Sequence, residues 1–488
     1  MNRQLSFTQH GMWIAARMGA GTAYHMPIVI ALDAAPDRGA LAKACRAVVE
    51  RHPLLGCALD DTGGDPVLVP AAQLPALEEA GSLAEAVTRP FDLRTGPLVR
   101  FALVGEDTLV AVAHHLVFDG ASKDVLVADL AAAYEGAVLP ESEPADHAAE
   151  QRERVAALLP EAAVFWAGRR HEAADTAIPG GFLRSRGAAA ADVLELPLGI
   201  PEIEGLTPFE VLVAAVHTLL ASYGNPEVVT ALDLSTRTPR EAGHIGPYVN
   251  ELPLASRPSG STPFADFAAA LRAELREVYR YREVPLARAV PGLRPHTALA
   301  PVSISYRRLP QGRSPLGEVS WLAFNHSVRG ALQLQVAHGP DGALASLRYD
   351  PLELPAAGRL VDDLTRLLTA IAAGPRRRLA DLVDFAAPVE PPPAAAATVP
   401  TPAPAAQDAE DDALAAADPL VAQVREIWEQ VLEQSPIGLH DDIFDLGGHS
   451  LTITRIIARM QEQLGLEIGL DDFFDHSTVA GVVAVVRR

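Results

Sequence analysis

Cysteine is nearly absent: the 488 residues hold two, Cys45 and Cys57. Two thiols cannot build a disulfide framework. Cys45 lies in an apparent helix, "ALAKACRAVVERH", with Cys57 close behind, so both read as buried free thiols of a cytoplasmic protein. Long apolar runs are missing too. No stretch approaches the ~18 apolar residues of a membrane span, and "MNRQLSFTQHGMW" places polar residues where a signal peptide needs an apolar core. Basic charge is in deficit, with 40 Lys and Arg against 62 Asp and Glu, a net charge of −22. That balance repels phosphate backbones and anionic bilayers, making nucleic acid and membrane poor partners. Apolar residues are plentiful at 49%, and the length allows two to four domains with a large core.

The clearest boundary is residues 386–417, where proline, alanine and then acid replace any apolar periodicity, as in "PPPAAAATVPTPAPAAQDAEDDALAAAD". Such a stretch cannot bury a core and is expected to be a flexible, semi-rigid linker. Before it, residues 1–385 mix strand-like and helix-like segments. "PLVRFALVGEDTLVAVAHHL" predicts a hairpin turning at Gly105–Asp107, and "TPFEVLVAAVHTLLASYG" a buried helix ended by Gly224, with "EVVTALDLS" as the next strand. An αβ pattern recurs on either side of a polar, Arg-rich stretch, predicting subdomains of about 1–172 and 173–385. After the linker, residues 418–488 look all-helical. Asp418 caps a helix with Pro419 at its first position, and further apolar-periodic runs follow Ser450 and Ser477.

The segment "VAVAHHLVFDGAS" carries two adjacent histidines. Strand alternation would send His114 and His115 to opposite faces, so only one can enter a given cleft. Asp119 and Gly120 suit a tight turn nearby. A plain alternative is a strand terminus whose imidazoles bond to backbone carbonyls.

The full spacing, "HHLVFDG", fits HHxxxDG. Near the start, Ser6, Thr8, Gln9 and Trp13 match S-x-A-Q-x-x-x-W except at Thr8. "RHPLL" is close to RHExL with Pro53 in place of glutamate, and "IGPYVNEL" is close to IGxFVNTL, whereas "YREVPL", "HTALAPVSISY" and "PADHAAE" match later motifs weakly. Residues 1–385 therefore resemble the condensation domains of nonribosomal peptide synthetases and the wider chloramphenicol acetyltransferase-like acyltransferases.

The resemblance implies an α/β fold of two subdomains in a V, with a channel in which donor and acceptor thioesters meet at the second histidine. It makes His115 the residue at the reacting groups and His114 a support. For Asp119 it implies a structural salt bridge to an arginine of the other subdomain. Arg237 is the candidate by position, with Arg240 as alternative. Gly120 is expected to keep the channel open where a side chain would intrude, and Asn250 to be channel-adjacent. Amide formation needs a deprotonated amine, and a histidine near pH 7 can accept its proton, worth ~10²–10⁴-fold, or can position the amine.

"DDIFDLGGHSLTITRI" closely resembles the LGGHSL core of carrier proteins. A serine opening a helix lies beside free N–H groups and positive dipole. The resemblance implies that Ser450 receives 4′-phosphopantetheine from a separate transferase, within a small four-helix carrier bundle. A hydrolase elbow, G-x-S-x-G, is set aside because Thr452 replaces its second glycine. Carrier acidity is expected to meet basic patches on partners.

Together these imply a condensation–carrier didomain that forms an amide between a donor thioester on an upstream carrier and an amine on its own carrier. An adenylating enzyme would load the latter in trans, and a downstream synthetase module could take the product. No metal is called for. The rivals are transfer to a free amine or alcohol, epimerisation, and a non-catalytic recruitment platform.

Overall fold

The computed structural model describes residues 3–62, 65–140, 147–169, 175–184, 187–290, 293, 297–389, 418–444, 446, 448 and 450–487, without the side chains of Ser450 and Asp471. Two sheets organise the large part. The first has five strands in the order Gly317–Ser320, His25–Leu32, Thr108–His114, Val99–Val104, Leu77–Ala80. The hairpin expected here is present, with Val104 opposite Thr108 and Gly105 at φ +66° in the turn. Alternation sorts its residues between two covers. Leu109, Ala111 and Ala113 face the core built with helices Phe7–Arg17, Arg38–Arg51 and Ser122–Tyr134, while Val110 and Val112 face a smaller cluster with Val29, Val87 and Ala323.

The second sheet has six strands in the order Asp192–Leu198, Gly342–Tyr349, Leu332–Gly339, Val302–Arg308, Val228–Ser235, Val249–Ser256. Helix Pro208–Ser222 packs in its core and is buried from Val211 onward. Thr207 and Glu210 close a capping box at its start. Gly224, at φ +100°, ends it, and a Cβ there would stand 2.6 Å from the Ala387 carbonyl oxygen.

The lobes do not divide cleanly near residue 172. Helix His147–Ala167 sends Val155, Ala162 and Trp166 into the second core. In the other direction, Gly317–Ser320 pairs with His25–Leu32 in the first sheet, and Leu316 joins that core. Each lobe is thus completed by a segment from the other half of the chain. The chain also stays tied to the second lobe past residue 385: Ala386 N and Val389 N donate to Ser222 O and Gly224 O at 2.8 and 3.0 Å. The expected linker beyond Val389 lies outside the described residues.

The small part is a bundle of helices Pro419–Leu432, Ser450–Leu464, Leu470–Asp475 and Val479–Val486. Its core stacks Trp428 on Phe473, with ring centroids 5.5 Å apart, among Val424, Ile427, Ile453, Ile456 and Val482. Asp418 accepts from Leu420 N at 3.1 Å as the first cap. Thr478, one residue past Ser477, caps the last helix. Among the described residues no helix is long and apolar enough to cross a membrane.

Candidate active site between the lobes

Strand alternation is not what separates the two histidines. The strand ends at His114, and His115 opens a 3₁₀ turn, His115–Val117, that redirects its ring. His114 is buried, accepts from Leu116 N through Nδ1 at 3.1 Å, and packs edge-on against Phe91 at 5.8 Å. Burial, with the nearby His25, His115 and Arg100, pushes its pKa down to about 3, so it stays neutral. His115 donates from Nδ1 to Phe118 O at 2.6 Å, which leaves the lone pair on Nε2. Among the described residues Nε2 has no hydrogen-bond partner. Burial lowers the pKa of His115 as well, against the opposing field of Asp119.

The turn that aims His115 is held from the N-terminal helix. Ser6 and Gln9 form a capping box, and Gln9 Nε2 donates to Leu116 O at 2.9 Å. That is the physical content of the spacing between Ser6 and Gln9. In "RHPLL", Arg51 Nη1 and His52 Nε2 reach the two oxygens of Asp129 at 2.5 and 2.7 Å, tying two helices together.

Asp119 lies between the lobes and is saturated as an acceptor. Ser122 N and Oγ donate to Oδ1, each at 2.7 Å, and Tyr248 N donates to Oδ2 at 3.1 Å. Arg237 adds Nη2 to Oδ1 at 2.7 Å and Nε to Oδ2 at 3.1 Å. The remaining guanidinium N–H groups reach Glu241 O, His244 O and Ser122 Oγ at 2.6, 2.8 and 2.8 Å. Arg240 is exposed. A carboxylate so occupied has no lone pair for a substrate proton.

At Gly120 a Cβ would meet no protein atom nearer than Arg307 Cδ at 3.9 Å, ordinary contact, so packing within the protein does not demand glycine there. Its carbonyl instead accepts from Arg307 Nη1, while Arg307 Nη2 pairs with Asp124. Arg307 belongs to the second sheet, so this is a second brace between the lobes. Within the first lobe Lys123 ties in the segment that crosses over, Nζ donating to Pro27 O and Trp321 O at 3.0 and 2.8 Å. Neither residue falls on a sequence motif.

A cavity of about 200 Å³ opens at His115, lined also by Tyr24, Asp233, Asn250, Glu251 and Arg329. Asn250 Nδ2 donates to Arg282 O and Val284 O, both at 2.9 Å, so its amide fixes a bend of the wall. Asp233 and Glu251 are cross-strand partners, an arrangement that disfavours two charges. Burial and Glu251 raise the pKa of Asp233 to about 7, while Arg329 Nη1 stands 3.6 Å from Glu251.

Leu451 of the small bundle lines this same cavity. Ser450 is the first residue of helix Ser450–Leu464; its side chain is outside the described set. The glycine two residues before it has a packing reason. Gly448 N donates to Ile443 O at 2.7 Å, and a Cβ at Gly448 would fall 2.5 Å from that oxygen. The bundle meets the lobes through Arg455, whose Nε and Nη2 reach Asp65 at 3.0 and 2.7 Å, and through Thr454 Oγ1, 3.4 Å from His10 Nε2. The expected polarity is reversed at this contact, because the bundle contributes the cation and the lobe the acid. A helix start that shares a cavity with His115 fits a serine-linked phosphopantetheine arm. That arm would supply a thioester-bound substrate to the cavity.

Two interlocked α/β lobes around a cleft histidine, with a four-helix bundle seated against the cleft, define an acyltransferase joined to a carrier. Residues 2–306 match the family model described as Condensation domain, and residues 422–486 that of the phosphopantetheine attachment site. The chain belongs to the condensation-domain family of nonribosomal peptide synthetases, which form amide bonds, and its C-terminal domain is of the kind that carries covalent phosphopantetheine. It is 28% identical over 436 residues to chondramide synthase cmdD of Chondromyces crocatus, covering 78% of this chain and 11% of that protein. To tyrocidine synthase 2 of Brevibacillus parabrevis it is 27% identical over 378 residues, covering 71% of this chain and 10% of that protein. The chain thus spans about a tenth of the length of these relatives. Among solved structures, the condensation domain of the monacolin K polyketide synthase MokA superposes with a TM-score of 0.67 at 20% identity, over 78% of this chain and 99% of that one. The X-domain from teicoplanin biosynthesis gives 0.63 at 22%, over 78% and 97%. At these identities the two structures establish the fold alone.

Proposed function

We propose that the chain joins a donor acyl or peptidyl thioester, delivered on a separate carrier, to an amine held on its own carrier at Ser450. The observation that carries this reading is that His115, its Nδ1 held by Phe118 O, lines a cavity also lined by Leu451, the residue after Ser450. Only residues 390–417 separate the described lobes from the described bundle, too short a segment for an adenylating domain between them. An adenylating enzyme acting in trans therefore loads the acceptor, and a phosphopantetheinyl transferase installs the arm. A downstream module takes the product. The paucity of cysteine and the two buried thiols support a cytoplasmic setting.

In the proposed reaction the amine nitrogen attacks the donor carbonyl carbon, the C–N bond forms and the C–S bond breaks. His115 Nε2 takes the amine proton and returns it to the departing sulfur. Its Nδ1–H bond to Phe118 O holds the required tautomer, and the neutral ring is available at pH 7. His114 and Asp119 position this ring without touching substrate. The linker keeps the acceptor at an effective concentration on the order of mM.

The test is single-turnover amide formation by the full chain, both thioesters supplied, read by intact-protein mass spectrometry. His115→Ala is expected to abolish transfer while Ser450 still takes up its arm, and Ser450→Ala to lose both. Full yield from His115→Ala would refute the assignment and favour a recruitment role. Release of a free amide or ester with no amine on Ser450 would favour a diffusible acceptor.

A further inference from the structure

Asp233 and Glu251 stand opposite each other on strands Val228–Ser235 and Val249–Ser256 of the second sheet. Both line the His115 cavity, and neither is fully buried. Among the described residues one guanidinium answers the two carboxylates: Arg329 Nη1 is 3.6 Å from Glu251, and its charge acts on Asp233 as well. Arg288, which also lines the cavity, is placed instead with Arg152 and Arg455, over the ring of Phe7. Two acids against one base leave an excess of negative charge on this part of the wall. Burial and Glu251 hold the Asp233 carboxyl at about 7, the mark of that excess, although Ser305 and Arg329 both favour its charged form.

The pair is set back from the reacting nitrogen. Tyr24 comes between, its ring centroid 6.1 Å from that of His115 and 5.5 Å from Arg329 Cζ. The charges felt at His115 include those of Asp119 and Arg329, whereas Asp233 and Glu251 are felt at Tyr24. A group bound at the pair is therefore carried at the end of a side chain and is distinct from the amine that attacks. Ser303 and Gln333 continue the wall with polar groups. Glu251 also stands at the threonine of IGxFVNTL, while His115, Asp119 and Asn250 keep their places in the motifs. A departure at one position of an otherwise kept motif, on the cavity wall, points to this chain's own substrate.

We propose that Asp233 and Glu251 select a substrate whose side chain ends in a cation, an ammonium or a guanidinium, on the donor or the acceptor acyl group. The inference rests on the reading of this cavity as the place where the two thioesters meet. Carboxylates offer only acceptors, and a cationic head offers only donors, so the pairing is charge-assisted at every bond. An apolar chain of like length removes water from the acids and returns no donor, so the wall rejects it as well as favouring the cation.

Single-turnover amide formation by the full chain is measured in two arms. In the first, Ser450 carries lysyl- or norleucyl-phosphopantetheine and the donor is acetylglycyl on a separate carrier. In the second, the donor is acetyl-lysyl or acetyl-norleucyl and the tethered acceptor is glycyl. One arm is expected to favour lysine by about tenfold or more, the scale of one charge-assisted hydrogen bond, and that arm assigns the pocket to acceptor or donor. Glu251→Gln and Asp233→Asn should each reduce the ratio, and the double variant should bring it near one while norleucyl transfer persists. No preference for lysine in either arm, a preference surviving the double variant, or one abolished by EDTA would overturn the proposal. So would loss of norleucyl transfer together with lysyl transfer in both single variants, which marks a structural role. Binding separates this inference from the condensation reading. The unmodified chain carrying His115→Ala, which makes no amide, should bind the amide analogue of lysyl-pantetheine about tenfold more tightly than the norleucyl analogue in calorimetry. If no arm yields amide, the condensation reading fails and that titration alone decides the pocket.

Discussion

Replacing Arg237 with methionine tests whether the Asp119 pair holds the lobes in register. The substitution keeps the side-chain stem and removes two charge-assisted bonds to Asp119, leaving its Ser122 and Tyr248 donors in place. The side chains of Arg237 and Asp119 are 10% and 4% exposed, so water can repair little. At about 1.5–3 kcal/mol per hydrogen bond to a charged group, the loss should reach about 3–5 kcal/mol, the range for stranding one member of a buried pair. Urea unfolding of the single variants Arg237→Met and Asp119→Asn and of the double variant isolates the mutual term, expected at about 2–3 kcal/mol. Because Asp119 has no free lone pair, Asp119→Asn should lower the rate of amide formation by displacing His115 without removing a limb of the pH–rate profile, and the loss of its charge should move the His115 limb further toward acid. A cost below about 1 kcal/mol for Arg237→Met, or single costs that add within about 0.5 kcal/mol, would refute the brace.

Besides the limb set by the acceptor amine, amide formation should show one on acidification through a pKa below the ordinary 6.5 of imidazole, since burial lowers the His115 value; a stopped-flow pH profile compared with that of His115→Ala reads it. Stability should follow the same direction. Burial holds His25, His114 and His217 at about 4, 3 and 3, so the unfolded chain binds protons that the fold refuses. Their contribution is complete above pH 6.5 and falls by roughly 2 kcal/mol per histidine at pH 5, measurable as a drop in Tm. Gly448→Ala should destabilise the bundle by about 1–3 kcal/mol, because its Cβ would meet Ile443 O at 2.5 Å; Trp428 fluorescence during unfolding reports it. Arg455→Glu should slow condensation on the tethered carrier most at low salt. The partly exposed pair, at 47% and 42%, is worth only ~0.2–1 kcal/mol, and Asp65→Arg should restore the rate.

Features whose cause lies within a few residues were legible from the sequence. The hairpin turning at Gly105–Asp107, the helix from Thr207 to Gly224 and the Asp418–Pro419 helix start depend on period, caps and turn residues, and all three form. The histidines show where such local reasoning stops. Alternation predicts opposite faces for two adjacent strand residues, but the strand ends between them, and the direction of His115 is set by a turn tied to Gln9 more than a hundred positions earlier in the chain. Gly120 shows another limit: its carbonyl, a group every residue possesses, takes part in the brace to Arg307, a role that no residue type at that position could announce.

The cavity wall was not legible because its chemistry comes from residues with no local pattern. Arg288, Arg307 and Arg329 are three arginines among many, and what distinguishes them is which hydrogen bonds they have and lack. Arg307 is engaged across the lobes and lies over Trp321, Arg329 stands against Glu251 and over Tyr24, and Arg288 lies over Phe7; each keeps a buried Nε with no hydrogen-bond partner among the described residues. That distinction exists only because each half of the chain completes the other's lobe: helix His147–Ala167 and strand Gly317–Ser320 cross in opposite directions. A rearrangement that separated the lobes would have to break both crossings as well as the Asp119 and Asp124 pairs. The floor of the cavity is therefore rigid by construction, whereas the bundle is seated by the partly exposed Arg455 pair, a long Thr454–His10 contact and the apolar contacts of Met18 and Leu470. A fixed reaction centre with a separately seated carrier is the division of stability that repeated docking and release requires.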